Sequence, residues 1–220
     1  MPDDCCNDHG TGGAATESAR VDPQFDFDIV LPTPPESAPT IIASPRLILR
    51  TIRDSDAEGL FAIRSREETA RMLWPFIPDA DISATRQWMA RKVFTAPPCA
   101  AGLSYQFVIL LADDHAGRII GTVGINELVP APTLGYIIHP DEWGKGYATE
   151  ATSAMTKAWW SLPRRGKTGQ HDKIYALCNE NNLGSLKVLL KCGFQAVGEQ
   201  RMGDGAIVKD FELERPDWSF

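Results

Sequence analysis

At 220 residues, with 43% hydrophobic and 23% charged residues, the chain has the composition of an ordinary globular protein, long enough for one well-buried domain and short for two. No apolar run approaches the roughly 18 to 20 residues that cross a bilayer, which argues against a membrane-spanning protein. The net charge of −7 is concentrated in residues 1–40, which hold eight acids and one base, Arg20; the balanced remainder has no basic stripe, so nucleic acid is not expected as a partner.

The opening stretch MPDDCCNDHG is acidic and lacks a basic flank followed by an apolar segment, unlike a secretory signal or an Arg-rich transit peptide. The expected compartment is the cytoplasm, with the nucleus as the second choice. Residues 1–40 also hold six of the sixteen prolines and nothing apolar longer than Ile29-Val30-Leu31. Such a stretch cannot bury enough surface to offset its ordering entropy, so it is expected to be a disordered, acidic, Pro-rich tail ahead of one folded domain at 41–220. It reads as a linker, with a partner-binding motif at Phe25 to Leu31 as the alternative. Cys5, Cys6, Cys99, Cys178 and Cys192 show no paired metal-ligand spacing and are expected to be free thiols, with no metal.

From residue 41 the pattern changes. Arg46 to Thr51 alternates like a strand, and Asp54 stands as an N-cap before a helix carrying Leu60, Phe61 and Arg64. Ser83 to Phe94 predicts a second helix, with Pro97-Pro98 just beyond its end. Tyr105, Phe107, Ile109 and Leu111 recur at period two, Asp113 to Gly117 supplies turn chemistry, and Arg118 to Ile125 resumes an extended pattern, which makes a hairpin. Thr133 to His139 is a further strand. Tyr147, Ala151, Ala154, Met155, Ala158 and Trp159 then share one helical face. Lys173 to Cys178 is a strand, followed by a helix with Leu183, Leu186 and Leu190 on one side and Gly193 in the C′ position.

Two helix entrances carry chemistry. At Trp143-Gly144-Lys145-Gly146-Tyr147-Ala148, small residues leave backbone N–H groups uncovered ahead of a helix N-terminus, a site suited to a pyrophosphate. Glycines at such a turn also serve purely conformational ends, so both readings stand. Asn182 and Ser185 fall on the first turn of the later helix, where they either cap it or bond a ligand crossing the sheet. Ser161 to Thr168 comes within one residue of a phosphate-binding P-loop but lacks the first glycine, and it follows a helix and precedes a strand, the reverse of the P-loop context. Nucleotide hydrolysis is therefore not expected.

The segments SPRLILR (44–50), LGYIIHPDEWGKGYATEA (134–151) and IYALCNENNLGSLKVLLKCGF (174–194) resemble the GNAT superfamily of N-acetyltransferases, in its branch similar to bacterial ribosomal-protein N-terminal acetyltransferases. The resemblance runs from about residue 41 to 217 and takes in closing strands around Gln195 to Arg201 and Val208 to Glu214. It implies an α/β fold with a mixed six- or seven-stranded sheet, splayed between its fourth and fifth strands and flanked by about four helices. Acetyl-CoA would be wedged into the splay as co-substrate. By position, Gly144, Lys145, Gly146, Tyr147, Ala148 and Thr149 would cradle the CoA pyrophosphate, with Trp143 where the family has Gln or Arg. Ile137 and Ile138 would offer backbone groups to the pantetheine amides. Asn182 would contact the pantetheine arm, and Ser185 would lie near the thiol, as an acid for the departing thiolate or as a binding group. Ala70 to Arg91 would form much of the acceptor wall, in which Trp74 and Phe76 are either a substrate lid or core and Trp88 reads as core, and the protein would act on an amine as a monomer or homodimer.

The implied reaction is direct attack of a neutral amine on the thioester. Many relatives place Glu at the start of the fourth strand; here Thr133 stands there, and Thr cannot act as a base at neutral pH. Glu127 is the first replacement candidate, then His139 or an ordered water. An α-amine of pKa about 8 is roughly 10% neutral at pH 7, against roughly 0.04% for lysine. A weak base therefore favours a peptide or protein N-terminus, or a small amine of lowered pKa. A catalytically inactive acetyl-CoA-binding module working through its acidic tail is the competing expectation.

Overall fold

The computed structural model describes residues 41–73, 75–95, 102–128, 130–163 and 172–216. Residues 1–40, Trp74 and most of the P-loop-like stretch lie outside the described residues. Eight strands form one sheet: β1 (Ile41–Ala43), β2 (Leu47–Thr51), β3 (Gln106–Leu111), β4 (Ile119–Glu127), β5 (Thr133–Ile138), β6 (Lys173–Asn179), β7 (Gln195–Arg201) and β8 (Ile207–Glu214). Their order is β1-β2-β3-β4-β5-β6-β8-β7, and every neighbouring pair is antiparallel except β5–β6. The strand beyond the expected seven is β1, too short at three residues to show a period of its own; it folds back on β2 through Ser44, whose N–H donates to Leu47 O at 2.9 Å.

The helices are α1 (Ala57–Arg64), the single turn α2 (Glu67–Ala70), α3 (Ile82–Ala90), α4 (Tyr147–Ser161) and α5 (Leu183–Lys191). Asp54 does not cap α1. It opens a 3-10 turn, and the adjacent Asp56 carboxylate accepts the Arg53 N–H and both arms of the Arg50 guanidinium, each at 2.7 Å. Asp81 caps α3, accepting from Ala84 N at 2.9 Å, and this helix ends at Ala90, four residues before Phe94, which turns into the core.

The sheet is covered on both faces. Leu47, Leu49, Phe107, Ile109, Val123 and Ile125 pack under Ala151, Met155 and Trp159 of α4. Val108, Leu110, Ile119 and Ile137 pack under Leu60 and Ile63 of α1, with Trp88 and Met89 of α3 at the margin. Each fully buried large side chain in these layers contributes roughly 1.5 to 3 kcal/mol. The buried face of α4 is wider than its apolar stripe, because Thr152 and Thr156 are also buried, the latter returning its hydroxyl to Thr152 O at 2.9 Å. On α5 the expected face holds only at Leu186, which meets the core; Leu183 and Leu190 are exposed, and Leu189 is buried instead.

What positions the site is the junction of β5 and β6. These parallel strands share one registered pair, Thr133 with Tyr175, supported by Tyr175 N donating to Pro132 O at 2.8 Å. Beyond it they part, leaving a seam between a β1–β5 plate and a β6–β8–β7 arm. No described helix is long and apolar enough to cross a membrane.

Candidate active site at the seam

The loop leading from β5 into α4 lies at the C-terminal end of β5. Gly144 and Gly146 adopt φ of 77° and 83°, left-handed values that favour glycine. A Cβ on Gly144 would meet nothing within 4 Å, so the loop's outer surface is open to a ligand. No side chain caps α4, which leaves the amides of Tyr147, Ala148 and Thr149 without intrahelical acceptors at the positive end of a 15-residue helix. These residues fit a pyrophosphate.

Three cations surround the loop. Arg46 donates from Nη1 to Lys145 O at 3.0 Å, stacks over the Tyr147 ring at 4.7 Å and pairs through Nε with Glu150 at 2.7 Å. Lys145 turns its ammonium back to Glu142 at 2.8 Å, and Arg118 reaches the same carboxylate at 2.5 Å. The hydrogen bond from Lys145, with that from Arg118, holds the Glu142 carboxyl below its ordinary range against the cost of burial. Burial also opposes the charge of Glu150, but the Arg46 N–H, the Ser44 hydroxyl and the Arg46 side chain outweigh it. Trp143 presents its N–H to protein rather than to the loop mouth, donating to Ile138 O at 2.7 Å.

That bond shows which peptide groups of β5 face the seam. Antiparallel strands direct alternate residues toward each neighbour. His139 N donates to Ile120 O on β4, and a Cβ on Gly121 would collide with the Ile137 carbonyl oxygen, so His139 and Ile137 face β4. Tyr136 and Ile138 therefore turn their peptide groups to the opening. Of the two isoleucines expected to meet pantetheine, only Ile138 is oriented for it, and its carbonyl already accepts the Trp143 indole.

Across the seam, the Asn182 Oδ1 accepts Ser185 N–H at 3.0 Å, so the capping reading of Asn182 describes its geometry. Tyr136 bridges the opening, its hydroxyl donating to Ser185 O at 3.3 Å. Ser185 is also a side-chain hydrogen-bonding neighbour of Tyr136 and of Cys178 on β6. Burial raises the Tyr136 phenol well above its usual value and pushes the Cys178 thiol to about 11, so both stay protonated at neutral pH.

The opposite face of the seam carries the acceptor-side candidates. Glu127, exposed, lies directly across from Thr133 in the β4–β5 ladder, and the Thr133 hydroxyl donates to Ala131 O at 3.0 Å. His139 caps the 3-10 turn at Pro140–Glu142, accepting from Asp141 N at 3.2 Å, a structural role. Phe76 has φ of 67°, left-handed for a bulky side chain, in the connection between α2 and α3. That connection is pinned by Asp79, which accepts from Arg64 at 2.7 and 3.0 Å and from Thr85 at 2.6 Å. Burial works against the Asp79 charge, but these bonds prevail and hold its carboxyl low. Trp88 lies between cations, with the Arg64 guanidinium 4.4 Å and the Lys92 ammonium 5.2 Å from its ring centre. Among the described residues no group of three or more His, Cys, Asp or Glu is placed to hold a metal ion.

Tyr136, Arg46 and Glu142 were not singled out from the sequence. Tyr136 sits in an ordinary alternating strand, and Arg46 lies about a hundred residues from the loop it braces. Only the spacing of Glu142 and Lys145, three apart, offered a local signal.

An open mixed sheet with one parallel seam thus carries an uncapped glycine-rich helix entrance at its mouth, a place suited to a pyrophosphate. The profile of the Acetyltransferase (GNAT) domain matches residues 46–195, and the chain belongs to that family of acetyltransferases. It is 29% identical to the uncharacterized N-acetyltransferase YoaA of Bacillus subtilis (strain 168) over 73% of this chain and 86% of that protein. Its fold is similar to that of RimL, a ribosomal L7/L12 alpha-N-protein acetyltransferase solved with coenzyme A, with a TM-score of 0.60 at 16% identity over 79% of this chain and 97% of that one. It is likewise similar to a ribosomal-protein-S5-alanine acetyltransferase from Vibrio fischeri, with a TM-score of 0.57 at 22% identity over 82% and 99% of the two chains.

Proposed function

We propose that the protein transfers acetyl from acetyl-CoA to a primary amine, a peptide or protein N-terminus before a lysine. The observation that carries this is the seam itself: a gap reached from one face past Gly144 to Thr149 and from the other past Glu127, with Tyr136 and Ser185 between. The loop and the first amides of α4 hold the pyrophosphate, braced by Arg46. The Ile138 and Tyr136 peptide groups line the path of the pantetheine arm, and N–H groups facing the seam offer donors to the oxyanion.

The amine nitrogen attacks the thioester carbonyl carbon; a C–N bond forms, the C–S bond breaks and the electron pair leaves with sulfur. Glu127, directly or through water, takes the ammonium proton, and the Tyr136 and Ser185 hydroxyls are the protonated groups nearest the departing thiolate. Thr133 supplies no base, which favours an amine with an appreciable neutral fraction. The likeness to RimL and to the S5-alanine enzyme supports an N-terminal acceptor. Release of free CoA from acetyl-CoA, measured against N-terminal peptides, lysine peptides, polyamines and aminoglycosides, tests this. Turnover on α-amine peptides is expected, and a clear lysine preference would overturn the choice of acceptor. The absent carboxylate at Thr133 favours one other reading, an inactive acetyl-CoA-binding module, for which acetyl-CoA would bind and no amine would turn over.

A further inference from the structure

On the α1/α3 face, a cavity of about 310 Å³ opens between the end of β2, the last turn of α3 and the chain entering β3. Arg53, Arg86 and Lys92 line it against a single acid, Asp54. Among the described residues neither Arg53 nor Arg86 forms an ion pair, and both are exposed at the cavity mouth. Lys92 lies deeper. Its ammonium donates to Asn126 Oδ1 at 3.0 Å and has no carboxylate in contact. Burial pushes its pKa down to about 8, with the more distant Glu127 charge acting the other way. A cation held largely out of water without a counter-ion in contact is unfavourable, and an anion in the cavity would relieve it.

The cavity is coupled to the seam. Asn126, which also accepts from Gln106 Nε2 at 2.8 Å, packs so closely on Gly135 that a Cβ there would overlap its amide. Gly135 stands two residues from Thr133, the residue that joins β5 to β6. At about 3.3 Å per residue the ammonium of Lys92 is therefore within about 10 Å of Thr133, and so of Glu127 across the ladder from it.

We propose that this cavity seats an oxyanion carried by the amine acceptor: in a peptide, the carboxylate of an acidic side chain at the second or third residue, which an extended chain places at that distance. The inference rests on the acetyl-transfer reading and adds that the preferred acceptors are acidic near their N-terminus. A phosphate on a small amine is the same chemistry.

The test has two arms, each on the full chain and on an Arg53→Gln/Arg86→Gln double variant. Both side chains are exposed, and the Arg53 N–H that binds Asp56 is retained, so the fold is preserved. In the first arm, succinate, inorganic phosphate and, at matched ionic strength, chloride are titrated into labelled protein while the amides of residues 52–54, 86–93 and 104 are followed by NMR. Saturable shifts with succinate or phosphate, weakened at least fivefold in the variant, are expected; no shifts, or equal shifts in both proteins, overturn the proposal. In the second arm, acetylation of peptides differing only by Asp or Asn at the second and third positions is compared. The Asp peptides are expected to show a KM at least fivefold lower at similar kcat in the unaltered protein, a preference that the variant loses. Turnover with no Asp preference overturns the proposal alone. Anion shifts without turnover of any peptide support the seat and overturn peptide acetylation instead.

Discussion

Tyr136 spans the seam with a hydroxyl that burial keeps protonated, and it touches the first turn of α5 where Ser185 lies. If it delivers a proton to sulfur, Tyr136→Phe lowers kcat about 10- to 100-fold while KM for acetyl-CoA changes less than about twofold. Stability falls by only about 1 kcal/mol, the net worth of one hydrogen bond. An unchanged kcat in steady-state kinetics would remove the phenol from the reaction. Glu127→Gln tests the base in the same way: kcat/KM for an α-amine peptide drops at pH 7, and the rate then rises more steeply with pH, because only amine already neutral in solution can react. A profile parallel to that of the unaltered protein would clear Glu127 of that role. Neither residue was legible to the same degree. Glu127 stood out as a carboxylate ending a strand beside the Thr133 position, whereas Tyr136 gained its part from a crossing that depends on where α5 packs.

At the scale of elements, the strands around the seam leave no room for added methyl groups. A Cβ on Gly121 meets the Ile137 carbonyl, which is backbone and cannot yield, so Gly121→Ala is expected to cost about 2 to 4 kcal/mol in urea unfolding. Gly135→Ala meets first the side chain of Asn126, which can swing away, and its cost is nearer about 1 to 2 kcal/mol, with loss of the Lys92 contact. The glycine-rich loop ahead of α4 is held by the Glu142 carboxylate between Lys145 and Arg118. Because that carboxyl titrates below its usual value of about 4.3, its contribution is fully present above that pH and disappears as pH falls through the lower folded value. Glu142→Gln therefore flattens this part of the acid unfolding curve while lowering stability at pH 7, and identical acid limbs in the two proteins would contradict it. The elements themselves were largely readable, since period two and period 3.6 gave five strands and four helices in order, and the family resemblance added the two closing strands. The misses have local causes. Three residues of β1 carry no period, Asp54 and Asp56 compete for one helix entrance, and on α5 four leucines leave two overlapping apolar faces that only the sheet below can choose between.

For the whole molecule, a ligand in the seam ties the two parts of the sheet together. Acetyl-CoA at a hundred times its Kd is expected to add about 2.7 kcal/mol. At 2 to 4 °C per kcal/mol for a domain of this size, that raises Tm by about 5 to 10 °C in a thermal scan. Hydrogen exchange should slow most in β6 and the first turn of α5, and least in β3, which is already locked between β2 and β4. Protection confined to β3 would move the ligand away from the seam. The position of this seam was foreseeable from the resemblance of 134–151 and 174–194 to the family. The cavity beside it was not, because Lys92, Asn126 and Arg53 come from three separate segments whose meeting has no sequence period.

A sheet sewn together at one rung also has a modular history open to it. The glycine-rich loop and the side chains that brace it all come from the half of the sheet before β6. The far arm exposes every residue of β7 and leaves Leu177 of β6 uncovered. Substitutions at these exposed positions meet solvent rather than the packed core that Ile174, Ala176 and Phe211 of the same arm help to build, so the outer surface of the arm can drift by single changes without disturbing the rest of the sheet.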